Sequence, residues 1–199
     1  MPRFASVNED LILEVGGAND LVLERNGVEV DRRGAEGFGK VLQVIQNHFD
    51  TTSSQAITVG VISNITDLSL SITPTYTSSR IMVEVRWFGE FGSNSSNNMF
   101  GLKRDTSEIG SSASVGSRNY GIHTNSISFN GDYVSSPEIV YYQYIDTPNT
   151  VSTITYHATV RANTTQTMVT NRSITDGDTL AYERGTSSIT LMEIAQWVQ

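Results

Sequence analysis

The chain has 199 residues, no cysteine and a formal net charge of −8, and 38% of its residues are hydrophobic. This length is sufficient for one large domain with its own core, and the lack of cysteine excludes disulfides and thiolate chemistry. The acidic balance argues against nucleic-acid binding, which needs a basic face. No secretion signal and no run of about 18 apolar residues is visible, so we expect synthesis in a cytoplasm without membrane insertion.

Charge divides the chain near residue 40. The first 40 positions hold 8 acidic and 5 basic residues, whereas the other 159 positions hold 13 acidic and 8 basic residues. The stretch at 31–40 is rich in glycine and charge, which is typical of a linker. We therefore predict two units, a charged N-terminal arm at 1–37 and a second domain at 38–199.

The arm contains a short internal repeat that predicts β-strands. "LILEVGG" at 11–17 and "LVLERNG" at 21–27 share the pattern Leu-aliphatic-Leu-Glu-x-x-Gly, and Asn-Gly before "VEV" is a two-residue hairpin signal. Strands this short cannot bury an apolar face alone. A frayed, charged terminus is the alternative, but the repeat favours an ordered element that docks on the body, on other copies of the chain or on a partner. The residues predicted to make that contact are Leu11, Leu13, Leu21 and Leu23.

The remainder of the chain predicts an all-β fold, an antiparallel β-sandwich or jelly-roll-like body to which the arm is a short β extension. Runs rich in β-branched residues alternate with Ser, Thr, Asn and Gly turns, as in such folds. These runs lie at 40–46, 67–73, 80–91, 138–145, 152–162, 165–172 and 188–199. The first run is ambiguous, because Val41, Ile45 and Phe49 also fit one face of a helix.

Alternation within the runs predicts which side chains share a core face. These sets are Leu68, Leu70 and Ile72; Ile81, Val83 and Val85; Tyr142 and Tyr144; and Ile154, Tyr156, Ala158 and Val160. The opposite faces carry Met82, Glu84 and Arg86, then Tyr141, then His157. The tyrosine-rich run predicts core packing with phenol tips that reach water, although such a face can also bind sugar or protein.

Two polar, low-complexity loops lie at 92–98 and 110–121. Segments of this composition cannot build a core. They are predicted either to be plain connections or to face a partner.

The titratable residues form no recognisable catalytic or metal-binding motif. His48, His123 and His157 lack metal-ligand spacing, and "DGD" at 176–178 lacks the rest of a calcium loop. The sequence has no nucleophile elbow and no phosphate loop. Paired carboxylates of the glycosidase type need only closeness in space, and nothing in the sequence selects a pair. We therefore expect no cofactor, no metal and no enzymatic activity.

The closing strand raises a question about one carboxylate. Alternation puts Glu193 in the same row as Ile189 and Leu191, whereas Met192 and Ile194 point the opposite way. Either Glu193 is a catalytic acid or the strand is covered on both faces. We favour the second interpretation, with Ile189 and Leu191 in the core and with Met192 and Ile194 at a subunit or arm contact. Glu193 is then expected at the rim of the sheet, hydrogen-bonded or paired with an arginine, for which Arg80 and Arg86 are the candidates.

Several segments together resemble a known module. "TDLSLSITPTYTSSRIMVEV" at 66–85, "NRSITD" at 171–176 and "RGTSSITLMEI" at 184–194 are similar, in order and spacing, to a β-sandwich module of bacteriophage virion proteins. That module recurs in tail-fibre-like and other structural proteins, notably of aquatic phages including cyanophages. The resemblance covers about residues 38–196, with Arg80 where lysine is common.

The resemblance implies a non-enzymatic virion structural protein, exposed at the particle surface and forming a homotrimer. The arm would dock on other virion proteins of the tail or capsid. We expect a short tail fibre or receptor-binding component, with a capsid decoration (cement) protein as the alternative. A glycan-degrading spike domain and a module that binds host surface glycan are further alternatives. Trp197 is expected to pack on a neighbouring strand or subunit, so Trp197→Ala should weaken assembly more than the monomer fold.

Overall fold

The computed structural model describes residues 40–93, 96–125 and 135–196, and within 1–39 it describes the backbone of four strands. Every regular element among these residues is a β-strand. The first eight are β1 Arg3–Ala5, β2 Leu11–Val15, β3 Leu21–Arg25, β4 Val28–Arg33, β5 Val41–Phe49, β6 Ser53–Ile57, β7 Ser63–Ile72 and β8 Arg80–Phe91. The others are β9 Met99–Arg104, β10 Ser107–Ile109, β11 His123–Thr124, β12 Glu138–Asp146, β13 Ile154–Arg161, β14 Gln166–Thr170 and β15 Ser187–Ile194. The part of the chain that is described contains no helix able to span a membrane.

The four arm strands form an antiparallel sheet in the order β1-β2-β3-β4. The two repeat units are the adjacent strands β2 and β3, and Leu13 pairs with Leu23. Arg25 pairs with Val28, which leaves two residues to connect β3 and β4. The predicted strands and the predicted hairpin are therefore confirmed. A docking contact of the four leucines stays a prediction.

Two antiparallel sheets pack together as a sandwich, which confirms the predicted fold class. The smaller sheet has the order β10-β9-β13-β7, with β11 also on β9, and the larger has the order β5-β15-β8-β14-β6, with β12 also on β8. The ambiguous first run is strand β5, paired with β15 from Val41 to Phe49. The helix alternative was wrong because this segment pairs along its whole length with β15, a strand near the other end of the chain that the local sequence could not reveal.

The core lies between the two sheets and follows the predicted alternation. In β8 the inward residues Ile81, Val83, Val85 and Trp87 have no exposed surface. Nearly all the other residues predicted to face the core are buried, whereas Leu70 and Tyr144 are half-buried and pack against it. Burial of each such side chain contributes about 1.5–3 kcal/mol, so this interface is the main source of stability.

An aromatic cluster closes one end of the core. The ring centroid of Trp87 lies 5.5 Å from that of Phe91 and 5.1 Å from that of Phe100. The indole nitrogen of Trp87 donates to Thr170 Oγ1 at 3.0 Å. These contacts tie β8 to β9 of the other sheet and to β14 of its own, and they satisfy the one polar atom of the indole.

The tyrosines of β12 divide between core and surface as predicted, with one correction. Tyr141 is 51% exposed, and its hydroxyl donates to Glu84 at 2.7 Å. Tyr142 is buried, and its hydroxyl does not reach water but donates to the carbonyl of Gly101 at 2.7 Å. Burial raises the pKa of Tyr142, so this phenol is a permanent donor that links the two sheets.

Candidate functional site

Glu193 is completely buried and is held by neutral hydrogen-bond donors. One oxygen accepts from the backbone nitrogen of Thr75 and the hydroxyl of Ser79, each at 2.6 Å. The other accepts from Gln43 Nε2 at 2.6 Å and from the hydroxyl of Thr75 at 2.9 Å. The carboxylate therefore ties the β7–β8 connection to strands β5 and β15.

The charge state of Glu193 follows from these bonds. Burial acts to raise the pKa of its carboxyl, but the hydrogen bonds from Ser79, Gln43 and Thr75 outweigh burial and leave the pKa below its ordinary value. The hydrogen-bonded alternative was correct, and Glu193, the last residue but one of β15, is buried near the end of the sheet. The proposed arginine partner was wrong, because four neutral donors supply the compensation and Arg86 donates instead to Thr186 at 2.7 Å.

Two further junctions join the segments 171–176 and 184–194. The hydroxyl of Ser187 donates to Asn171 Oδ1 at 2.7 Å. Arg184 donates to both oxygens of Asp176, at 3.0 and 2.6 Å. Segments chosen from the sequence as parts of one module therefore meet in space through their polar side chains.

Glu90 is a second buried carboxylate, and it holds the backbone of two loops. It accepts from the backbone nitrogens of Ser136 at 3.0 Å and Ile174 at 2.5 Å. These donors belong to two separate connections, which Glu90 fixes to the end of β8. Its arrangement is that of a structural anchor for loop backbone.

Asp146 joins the two sheets at the end of β12. One of its oxygens accepts from Arg104 Nη1 at 2.8 Å and from the Tyr156 hydroxyl at 2.7 Å. Three buried carboxylates, those of Glu90, Asp146 and Glu193, therefore hold strands and loops in place. Within the described ranges, no group of three His, Asp or Glu side chains is placed to hold a metal ion.

The histidines lie apart on the structure. His157 is half-buried on the outer face of the smaller sheet, between Ser69 and Lys103, as its predicted orientation requires. Burial and then the charge of Lys103 lower its pKa. His48 is exposed in β5, and His123 stacks on Tyr142 with ring centroids 6.5 Å apart.

The outer face of the larger sheet carries a row of four apolar residues across four paired strands. Val44 pairs with Met192, Met192 with Met82, and Met82 with Ile145. Directly paired residues project from the same face with Cβ atoms about 5 Å apart. Val44 is 53% exposed and Ile145 is 40% exposed, so the edges of this apolar row face solvent.

Further residues of the same face surround the apolar row. Ile194 pairs with Val41, which is 46% exposed, and extends the apolar surface at one end. On the other side lies a polar row of Gln46, Thr190, Glu84 and Gln143. An apolar centre with a polar margin is the usual anatomy of a protein–protein interface.

The structure places the predicted assembly residues in three different parts of the chain. Met192 and Ile194 are half-buried on the outer face of the larger sheet, as alternation predicted. Leu11, Leu13, Leu21 and Leu23 lie in the arm sheet, where only the backbone is described, and Trp197 lies outside the described residues. The sequence did not single out Val44, Met82 and Ile145 for this contact. The outward position of Met82 was predicted, but only the strand pairing brings these three residues beside Met192.

No family model and no curated protein matches this sequence. The proposal on function therefore rests on the resemblance of the segments at 66–85, 171–176 and 184–194 and on the geometry described above.

Proposed function

We propose that this chain is a non-enzymatic structural protein of a bacteriophage virion, exposed at the particle surface and assembled as a homotrimer. Within that class we favour a short tail fibre or receptor-binding component, with a capsid decoration (cement) protein as the alternative. The virion class rests on the resemblance of the segments at 66–85, 171–176 and 184–194. The observation that supports assembly of copies is the apolar row of Val44, Met192, Met82 and Ile145 on the outer face of the larger sheet. A sandwich already has its core between the sheets, so an apolar row on its outer face fits a second contact.

A second copy of the chain is the proposed occupant of this row. The arm sheet carries paired leucines, Leu13 and Leu23, on strands that are too short to bury them alone. It joins the body through residues 34–39, and six residues span at most about 20 Å. The carbonyl of Lys40 accepts from the backbone nitrogen of Ala195 at 2.8 Å, next to the apolar end of the face. The arm is therefore within reach of the apolar row, and exchange of arms between copies is the proposed way to cover it.

The engagement of the buried carboxylates supports a structural role. Glu193, Glu90 and Asp146 each accept at least two hydrogen bonds that join distant segments. A general acid or nucleophile of a glycosidase instead faces an open cleft beside a second carboxylate. Glu193, the acid that the sequence raised as a possible catalytic group, thus serves to hold the fold together.

Counting copies in purified virions tests the proposed function. Quantitative mass spectrometry should detect the intact chain in particles. A fibre should be present at low copy number and should separate with isolated tails. A cement protein should instead approach the copy number of the major capsid protein and should separate with heads. Absence of the chain from purified particles would rule out both roles.

A further inference from the structure

Strand β7 lies at an edge of the smaller sheet and, among the described residues, pairs only with β13. Its other side runs along β5 and β6 of the larger sheet, and in the described part of the chain no backbone ladder joins it to them. An edge strand carries a row of backbone N–H and C=O groups that can pair with a strand of another molecule. Whether β7 is open to another chain therefore depends on what bonds these groups.

Gln55 of β6 bonds two of these groups with a single side-chain amide. Its Nε2 donates to the carbonyl of Asn64 at 3.0 Å, and its Oε1 accepts from the backbone nitrogen of Thr66 at 2.7 Å. A residue of a neighbouring parallel strand would bond the same two groups. The side chain of Gln55 therefore takes the place of an added strand.

Two amides of β5 bond further backbone groups along the same edge. Asn47 Nδ2 donates to the carbonyl of Asp67 at 2.8 Å and to that of Ser69 at 3.4 Å. Gln43 Nε2 donates to the carbonyl of Thr73 at 2.9 Å, just past the end of β7. Side chains of the larger sheet thus occupy backbone groups from one end of β7 to the other.

The edge is also irregular and charged. The pairing of β7 with β13 shifts register between His157 and Thr159, opposite a stretch that contains Asp67. Asp67 has a φ of 65°, in the left-handed region, and is exposed. Bulges and charged residues at an edge are two of the devices by which β-sheet proteins avoid edge-to-edge pairing. The amides, the irregularity and the charge therefore act on one and the same edge.

We propose that the β7 edge is a strand-accepting surface that Gln43, Asn47 and Gln55 hold closed, and that the strand they exclude belongs to a second copy of this chain. A second copy presents the same edge, and pairing between exposed edges is a usual route of aggregation. The closed edge confines the association of copies to other surfaces, such as the outer face of the larger sheet. This inference does not depend on the virion role, because the amides exclude a strand wherever the protein is located.

Removal of two of the three amides tests the inference in the full chain. The edge variant is Asn47→Ala with Gln55→Ala, and Gln43 is kept because it also bonds Glu193. In sedimentation velocity the edge variant should form species larger than the wild-type assembly, at a concentration at least about tenfold below that at which wild type forms any. This is the size expected when an added strand no longer has to displace side-chain hydrogen bonds. In hydrogen exchange the N–H of Thr66 should exchange faster than in wild type when the variant is dilute and should be protected again in the larger species.

Gln46→Ala with Gln143→Ala is the matched control, because it removes two exposed amides from the outer face of the larger sheet. It should form no species larger than wild type does. Addition of Thr66→Lys to the edge variant puts a second kind of block on β7 and should abolish the larger species. If the edge variant does not fold, the single variants Asn47→Ala and Gln55→Ala should each show a smaller shift of the same kind. The inference is overturned if the edge variant or, in its place, both single variants associate no more than wild type, if the control associates equally, or if the larger species persist with Thr66→Lys.

Discussion

Replacement of Glu193 by alanine tests whether this carboxylate holds the β7–β8 connection to strands β5 and β15, as its hydrogen bonds indicate. The substitution removes the acceptor of four hydrogen bonds in a site without solvent exposure. Gln43 is only part-buried and also donates to the Thr73 carbonyl at 2.9 Å, so it keeps a partner. The backbone nitrogen of Thr75 and the buried hydroxyl of Ser79 lose theirs.

The expected cost follows from those two donors. The buried Ser79 hydroxyl left without its partner costs about 1–3 kcal/mol, and the N–H of the exposed Thr75, which water can reach, adds less, so Glu193→Ala should lower the free energy of unfolding by about 2–4 kcal/mol. Glu193→Gln keeps the size and one acceptor and should cost about half of that. Since a domain of this kind has a total stability of about 5–15 kcal/mol, the alanine variant should stay folded but lose a large part of its stability.

Urea denaturation followed by intrinsic tryptophan fluorescence measures the change. Glu183→Ala is the matched control, because Glu183 is exposed and its loss should change stability by less than about 0.5 kcal/mol. A loss below about 1 kcal/mol for Glu193→Ala would refute the fastening role.

The pH dependence gives a second readout of the same carboxylate. Its pKa is lower in the folded chain than its ordinary value of 4.5. Its ionised form therefore contributes stability that is complete above the unfolded pKa and is lost as the pH falls through the folded pKa. The stability difference between wild type and Glu193→Gln should therefore shrink as the pH falls below 4.5. A difference that grew on acidification would contradict this assignment.

Two more pairs of variants test the packing. A Cβ at Gly89 would lie 2.1 Å from the carbonyl oxygen of Val169, whereas the nearest contact at Gly92 is an ordinary 3.4 Å. Gly89→Ala should therefore cost about 3 kcal/mol or more in urea unfolding and Gly92→Ala about 1 kcal/mol or less, and equal costs would argue against the packing at Gly89. Tyr142→Phe leaves a buried carbonyl without a donor and should cost about 1–3 kcal/mol. Tyr141→Phe removes only an exposed bond and should cost less than about 0.5 kcal/mol by the same assay, so an equal loss in both tyrosine variants would contradict the assigned burial.

Period-two alternation was enough to predict the faces of the strands. In β8 it separated the buried Ile81, Val83 and Val85 from Met82 and Arg86 on the outer face. The faces are strongly specified, because a shift of the strand by one residue would turn every side chain to the opposite face of the sheet. It failed at 40–46, where the spacing of the apolar residues fits both the helix period and the strand period, and only the pairing with β15 decides between them. Local pattern therefore specifies a face but not the existence of a distant partner strand.

The environment of Glu193 was beyond such reasoning. Alternation correctly put Glu193 in the inward row, but its donors Thr75 and Ser79 lie more than 100 residues away in the chain. Arginine was expected because a buried charge usually needs a charged partner. A backbone nitrogen and hydroxyls fulfil the same requirement without any signal in the local sequence. The apolar row was likewise visible only in part, through Met192 and not through Val44.

Sedimentation equilibrium on dilution of the purified chain tests the central claim, that the outer face of the larger sheet assembles copies of this protein. Wild type should sediment as a trimer, and Met192→Glu should sediment as a folded monomer with the circular-dichroism spectrum of a β-sheet protein. Thr66→Glu adds the same charge at an exposed position of β7 in the other sheet and should remain a trimer. A monomeric wild type, or a Met192→Glu trimer that resists dilution as well as wild type does, would contradict the claim.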